Sequence, residues 1–379
     1  MRVEKISSDI DIKKQLEKLG VDEGGINILA AKADLHILYI DDLHVGAANI
    51  LKQDALSIGA DLAVPRGTVV AAKPRVACIL IANTKQLKVL ARKELAQPFG
   101  LKDLAKKLKE FTQLQKPKSV AIMGIINAND DSFYAKSRLK DKEAIQCIEK
   151  MIEAGADIID VGAVSSRPNA PIVSAEEELA RIEPLLSLIK QQKLYENVKF
   201  SCDSFEPKVL QKALESGFCI VNDITGLQND AVCRLCASYN ATAIIMHMQG
   251  TPQTMQKNPN YKSVLSDVYD FFERRVQKAE SFGVKEIVLD VGIGFGKRLE
   301  DNVSLIKNLE HFLQLKKPLL VGASRKSMID TISPSSVDER LAGTLTLHLE
   351  AVKNGASFLR VHDVAEHVQA LKVFKALSL

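Results

Sequence analysis

Asn127, Asp160, Asp203, Asn222, His247, Asp290, Arg360 and His362 each stand at or beside the end of a short apolar run, and a Ser324–Arg325–Lys326 triplet closes another. Such groups are costly to bury without partners. Gathered at one mouth, they would need a polar ligand or one another. The set sorts by charge. Asp203, Asn222 and Asp290 offer acceptors and an amide, the complement of a flat ligand with amino and ring N–H donors. A carboxylate can take two parallel hydrogen bonds from a guanidine-like edge. Arg167, Arg325, Lys326, Arg360 and His362 offer positive charge, which suits phosphate or carboxylate. One ligand carrying a heterocycle and a diphosphate would use both groups. The competing expectation is that some tips are ion pairs closing the top of the fold. No Ser–His–Asp or Cys–His arrangement is legible, which argues against a covalent enzyme intermediate.

The elements that must position these tips repeat. Four times a helical stretch stops at a glycine and an apolar run follows: 153–161, 215–224, 281–291 and 353–361. Glycine suits the left-handed turn after a helix. The runs, rich in Ile, Val and Leu, are too short for helices and read as strands buried on both faces. Further strands are expected in 119–127, 198–204, 241–248 and 318–324, with helical patterns such as 141–155, 174–190 and 205–217 between them. Ser174 with Glu177 three residues on is an N-terminal capping signature, and Pro207 falls early in its helix, where it is tolerated. Residues 119–379 come close to the roughly 250 residues of a parallel (β/α)8 barrel, the TIM barrel. A doubly wound open sheet is the alternative. Polar tips throughout the count, rather than at one switch point, favour closure. In such a barrel the active site lies at the strands' carboxyl ends.

Residues 1–118 form a separate problem. The stretches 26–40, 45–60, 61–67 and 76–83 predict a small α/β domain, followed by a basic amphipathic helix and linker over 101–118. No chemical motif is visible there, and a packing or dimerisation appendage is the plainest expectation. The whole chain of 379 residues carries a formal net charge of only +4, so nucleic acid is not the expected partner. No run approaches the length of a membrane helix, and the charged start lacks the apolar core of a signal peptide. Six cysteines are too sparse for a disulfide scaffold. These features predict a soluble cytoplasmic protein with reduced thiols and no membrane partner.

Ordered blocks then point to a family. GIINANDDSF (124–133), ADIIDVGAVSSRP (156–168), CDSFEPKVLQKALESG, IVNDITG, MHMQGTPQTMQKNPNY (246–261), LDVGIGFGK (289–297), GASRKSMI (322–329) and RVHDV (360–364) follow in sequence. The chain resembles dihydropteroate synthase, a pterin-binding barrel of folate biosynthesis, over most of 119–379. The resemblance implies a transferase that condenses 6-hydroxymethyl-7,8-dihydropterin diphosphate with 4-aminobenzoate, giving 7,8-dihydropteroate and pyrophosphate. It implies that the C–O bond ionises before the amine attacks, with Mg²⁺ and cations absorbing the leaving charge. By motif, Asn127 would touch Mg²⁺ or the diphosphate, and Arg360 and His362 would hold the diphosphate. Asp203, Asn222, Asp290 and Lys326 would line the pterin pocket, with Met246 on the ring and Asp160 at its tip among the binding residues. Asp203, Lys326, Arg360 and His362 would carry the catalysis. Ser166 and Arg167 would frame 4-aminobenzoate, and Ser324 and Arg325 would receive its carboxylate. Sulfonamides, which mimic 4-aminobenzoate in this family, are expected to bind, and a homodimer is expected.

The chain also departs from the family. Its first loop reads Asn127, Ala128, Asn129, Asp130, Asp131, Ser132, Phe133 where Asn-Val-Thr-Pro-Asp-Ser-Phe is usual, and Val164 replaces a glutamate in the second. The rival readings are a pterin-binding methyltransferase using a methyl-folate, which has no need of a diphosphate site, and a degenerate barrel kept as a binding module. GIGFGK (292–297) lacks P-loop spacing, so its glycines are expected to let a loop pass close to the ring. The lone Cys233-x-x-Cys236 reads as two small helix residues rather than a zinc site. His247 reads as structural.

Overall fold

The computed structural model describes residues 1–7, 10–127, 137–164 and 173–377. Expectations at Ser166, Arg167 and residues 128–133 fall outside the described residues. Two compact units are present, Met1–Gln115 with Lys375–Leu379, and Lys116–Phe374.

In the first unit, strands β1 (Leu35–His44), β2 (Asp61–Ala63) and β3 (Arg75–Asn83) form an antiparallel sheet in the order β1-β3-β2. The stretch 26–40 divides: Glu23–Ala33 is helical, and the strand begins only at Leu35. Leu51, Leu80, Leu87, Leu90, Leu101 and Leu108 pack this unit's own core. The basic amphipathic stretch is a helix, Leu101–Phe111, and it buries Leu101, Ala105 and Leu108 on one face.

The second unit is a closed barrel of eight parallel strands. They are β4 (Ala121–Asn127), β5 (Ile158–Gly162), β6 (Lys199–Asp203), β7 (Ile220–Asp223), β8 (Thr242–Met246), β9 (Ile287–Asp290), β10 (Leu319–Val321) and β11 (Phe358–Val361). The pairing of β11 with β4 closes the ring and rules out the open sheet. The repeated glycines adopt the left-handed backbone expected of them, with φ of +98° at Gly155, +97° at Gly217, +87° at Gly283 and +102° at Gly355. At Gly217 a Cβ would also lie 2.5 Å from the Tyr195 ring, so both backbone and packing demand glycine there. Ser174 accepts from the Glu177 amide, and Pro207 occupies the first turn of Pro207–Glu215.

Strand side chains alternate between faces, so residues two apart share one face. That rule organises the barrel interior into levels. Met123, Ile158, Ile220, Ile244, Val288 and Leu320 pack together as an apolar plug. Each such side chain, once buried, contributes about 1.5–3 kcal/mol. Two residues further along the same strands stand Asp160, Asn222, Met246, Asp290 and Gly322, and Arg360 stands two beyond Phe358, which packs against the plug. The polar tips therefore form the next level above a floor that is apolar apart from Ser201, two before Asp203 on β6. Outside the strands, a larger core including Phe200, Phe272 and Phe312 joins the barrel to its helices.

Candidate active site

A cavity, partly open to solvent, lies on this polar level. Its lining includes Asp203, Asn222, Met246, Asp290, Lys326 and Arg360, together with Ile224, Ile293 and Phe295. Six positions that the sequence assigned to a pterin pocket or its diphosphate edge are thus brought to one hole, although they span residues 203 to 360.

Arg360 is the hub. Its Nε donates to Asp160 Oδ2 at 2.6 Å and its Nη2 to Asp203 Oδ2 at 2.6 Å. Asp160 is fully buried and also accepts from Asn222 Nδ2 at 3.1 Å. It does not line the cavity. Its position on β5 places it against Arg360 and Asn222, where it orients both, and this revises its expected part as a substrate ligand. Burial works against the Arg360 charge, but Asp160 and Asp203 outweigh it and raise the pKa. One guanidinium does not neutralise two carboxylates. Burial raises the Asp203 carboxyl to about 7; Arg360 lowers it, and Asp160 pushes it back up. Asp290, also raised by burial, accepts from the Gly292 amide at 2.8 Å.

The opposite wall is apolar. Ile224, Met246, Met255 and Phe295 pack as one cluster, and Lys326 Nζ lies 4.2 Å from the centre of the Phe295 ring. An ammonium over an aromatic face is held there by the ring's negative surface. Phe295 escaped the sequence reading, as did Lys297. Lys297 is buried, and its Nζ donates to the carbonyls of Gly292 and Phe295, each at 3.0 Å, and meets His247 Nδ1 at 2.9 Å. Burial lowers its pKa to about 7. His247 is therefore a structural partner, as expected. Gly292 lines the cavity, and the glycines of 292–297 also serve a second close approach, within the protein. A Cβ at Gly292 would sit 2.0 Å from the His247 carbonyl oxygen, and one at Gly296 would sit 2.6 Å from that of Gln249. The loop presses on the end of β8, and Lys297 laces the two together. The signal was the GIGFGK spelling itself, whose lysine had no assigned partner.

The β10 and β11 loops hold the remaining cations, and these already have partners. Arg325 makes a two-point pair with Asp363, Nε to Oδ2 at 3.0 Å and Nη2 to Oδ1 at 2.7 Å, and reaches Asp338 at 3.1 Å. Its backbone is left-handed, with φ of +56°. Ser324 Oγ meets His362 Nδ1 at 2.9 Å and accepts from the His362 amide at 3.3 Å. Burial, then Arg360, lowers the His362 pKa to about 4, so the ring is neutral at physiological pH. Ser324, Arg325 and His362 stand beside the cavity lining rather than in it. Asn127 is exposed at the carboxyl end of β4.

Comparison with known proteins agrees with this geometry. Residues 123–362 match the pterin binding enzyme family. The chain belongs to the dihydropteroate synthases. It is 43% identical over 378 residues to the bifunctional dihydropteroate synthase/dihydropteroate reductase of Helicobacter pylori, covering 100% of this chain and 99% of that protein. It is 40% identical over 258 residues to the Escherichia coli dihydropteroate synthase, covering 67% of this chain and 90% of that one. Among solved structures, the Burkholderia cenocepacia dihydropteroate synthase complexed with 7,8-dihydropteroate matches with a TM-score of 0.62 and 37% identity, covering 69% of this chain and 92% of that one. The Yersinia pestis dihydropteroate synthase in complex with a sulfonamide drug matches with a TM-score of 0.64 and 33% identity, covering 68% of this chain and 94% of that one. Matches of this kind span the barrel, whereas the Helicobacter relative also spans the N-terminal unit.

Proposed function

We propose that this cavity joins 6-hydroxymethyl-7,8-dihydropterin diphosphate to 4-aminobenzoate, releasing pyrophosphate and 7,8-dihydropteroate. The carrying observation is the arrangement of Asp203, Asn222 and Asp290 with Lys326 and Arg360 round one hole above an apolar floor. The carboxylates and the amide accept from and donate to the pterin's polar edge. Met246 and Phe295 cover its faces. Lys326 and Arg360 stand where negative charge grows as the C–O bond breaks, and Asp203 steadies the cation left behind. The chain then has positioning, electrostatics and water exclusion to provide, with no enzyme nucleophile.

Ser324 and Arg325 receive the 4-aminobenzoate carboxylate in this reading. Arg325 must then share its guanidinium between that carboxylate and Asp363. Mg²⁺ fits only as a companion of the diphosphate. Among the described residues no group of three or more His, Cys, Asp or Glu side chains could hold a metal. The exposed Asn127 would offer it one hard amide oxygen beside the diphosphate. The ion would supply charge neutralisation of the leaving group. Family resemblance supports a homodimer. The sparse cysteines support cytoplasmic residence.

A second activity is supported by the Helicobacter relative, whose name includes dihydropteroate reductase and whose match includes the N-terminal unit. In this reading residues 1–118 serve a two-electron reduction of the synthase product. The test of the main reading is pyrophosphate release by the full chain that depends on both pterin diphosphate and 4-aminobenzoate, with inhibition by a sulfonamide competitive with 4-aminobenzoate. Release that ignores 4-aminobenzoate would sink it. Adding reduced nicotinamide to the same mixture and following its oxidation tests the second.

A further inference from the structure

Two buried histidines near the β10 and β11 loops have no part in the chemistry above. His348 lies in the helix Leu341–Lys353 and His367 in the helix Val364–Leu377. Both are sealed from solvent, at 0% and 1% exposure. Their rings meet, with His348 Nδ1 and His367 Nε2 at 2.8 Å.

The protons follow by elimination. The Ala323 amide donates to His348 Nε2 at 3.0 Å, so that nitrogen must accept. A neutral His348 then carries its proton on Nδ1 and donates it to His367 Nε2. His367 in turn carries its proton on Nδ1, which faces the Asp363 carbonyl at 2.6 Å. One tautomer of each ring satisfies every nitrogen. A second proton on either ring would set two donors face to face. Burial lowers the pKa of both rings, that of His348 to about 3, which keeps them neutral.

The ends of this relay meet the site. Ala323 directly precedes the Ser324–Arg325–Lys326 run, and Asp363 is the residue whose carboxylate grips Arg325. The Arg325–Asp363 ion pair joins the β10 and β11 loops through side chains. The relay joins the same two loops through their backbones. We propose that His348 and His367 are positioning residues that lock the loop presenting Lys326 against the loop that follows Arg360. This rests on the reading of the cavity as the pterin diphosphate site.

Glutamine carries an acceptor and a donor on one side chain, so His348→Gln can keep both ends of the bond, whereas His348→Leu loses both. In the full chain, His348→Leu is expected to lower kcat/KM for pterin diphosphate by roughly ten- to a hundredfold. His348→Gln is expected to recover most of that loss. Unchanged kcat/KM in folded His348→Leu overturns the proposal. So does an equal loss in both variants, since packing alone would then explain it. Nitrogen NMR of the histidine-labelled wild type gives a readout independent of activity: Nδ1–H tautomers on both rings support the relay, and an Nε2–H tautomer on either overturns it. That spectrum decides the matter if His348→Leu does not fold. A wild-type chain that makes no dihydropteroate would refute the cavity reading instead, and the relay would still stand or fall by the spectrum.

Discussion

On the β6 to β9 side, Asp203, Asn222 and Asp290 line the cavity while bonded to Arg360, Asp160 and the Gly292 amide, whereas on the β10 and β11 side Arg325 and His362 stand beside the lining, bonded to Asp363 and Ser324. The acids are kept uncomfortable by burial. The Arg325 cation and the neutral His362 ring beside them are made comfortable by Asp363 and Ser324. Arg360 belongs to both sides, because it faces the cavity while bonded to two aspartates. A positive side chain near a mouth is thus not by that fact a vacant anion receptor. A ligand's carboxylate must compete with the Arg325–Asp363 pair already formed, whereas a ligand's N–H groups meet carboxylates that each keep a second oxygen outside the bond already made.

The sharpest way to break this contrast is Arg360→Met. It leaves Asp160 and Asp203 without their shared counter-charge, and stranding a buried charge costs about 3–5 kcal/mol. Chemical denaturation should show a loss of that order, together with lost turnover. A variant as stable as the wild type would mean that the hub is ornamental. Asp203→Asn comes next. Asp203 has its pKa raised to about 7, so between about 4 and 7 the folded protein holds a proton that the unfolded chain has released. Its contribution makes the ligand-free protein less stable as pH rises through that window. Pterin binding needs the carboxylate as acceptor, so affinity should strengthen as pH rises through about 7. Calorimetry on Asp203→Asn should find that rise gone and affinity down roughly ten- to a hundredfold. Lys297, lowered to about 7, titrates over the same range and remains in the variant, so a surviving rise would reassign the effect to it.

Arg325→Gln probes the other side. It should raise KM for 4-aminobenzoate about five- to tenfold and weaken pterin binding by less, because Arg325 is outside the cavity lining but helps to hold the loop that carries Lys326. Equal damage to both substrates would erase the distinction between the two sides. The smallest effect is expected from Gly322→Ala. The nearest atom to the added methyl is Arg360 Cβ at 3.7 Å, an ordinary contact, so the fold should tolerate it. The methyl enters the cavity, and pterin affinity should fall only about two- to fivefold.

Much of this was legible in the chain itself. Glycine-stopped helices and short Ile- and Val-rich runs marked all eight barrel strands, since both signals are local. The tips were legible for the same reason: a strand's end shows in its own spelling. Partnership was not. Asp160 is written like any other tip, and only closure of the ring places it against Arg360, 200 positions later. Arg325 reads as an anion receptor until Asp363 is seen in its grip. His348 and His367 lie on separate helices with nothing in their local pattern to join them. Within 26–40 only Lys32 and Asp34 mark the change from helix to strand, a break too short to separate two elements by hydrophobicity alone.

The two-residue step between apolar floor and polar ring separates two tasks that many proteins entangle. The apolar packing of the barrel is spelled at one set of strand positions, and most of what discriminates between ligands is spelled at the next. Evolution, or an engineer, can therefore redraft much of the recognition alphabet of this barrel while keeping its floor, provided that Arg360 and the two aspartates it joins stay together.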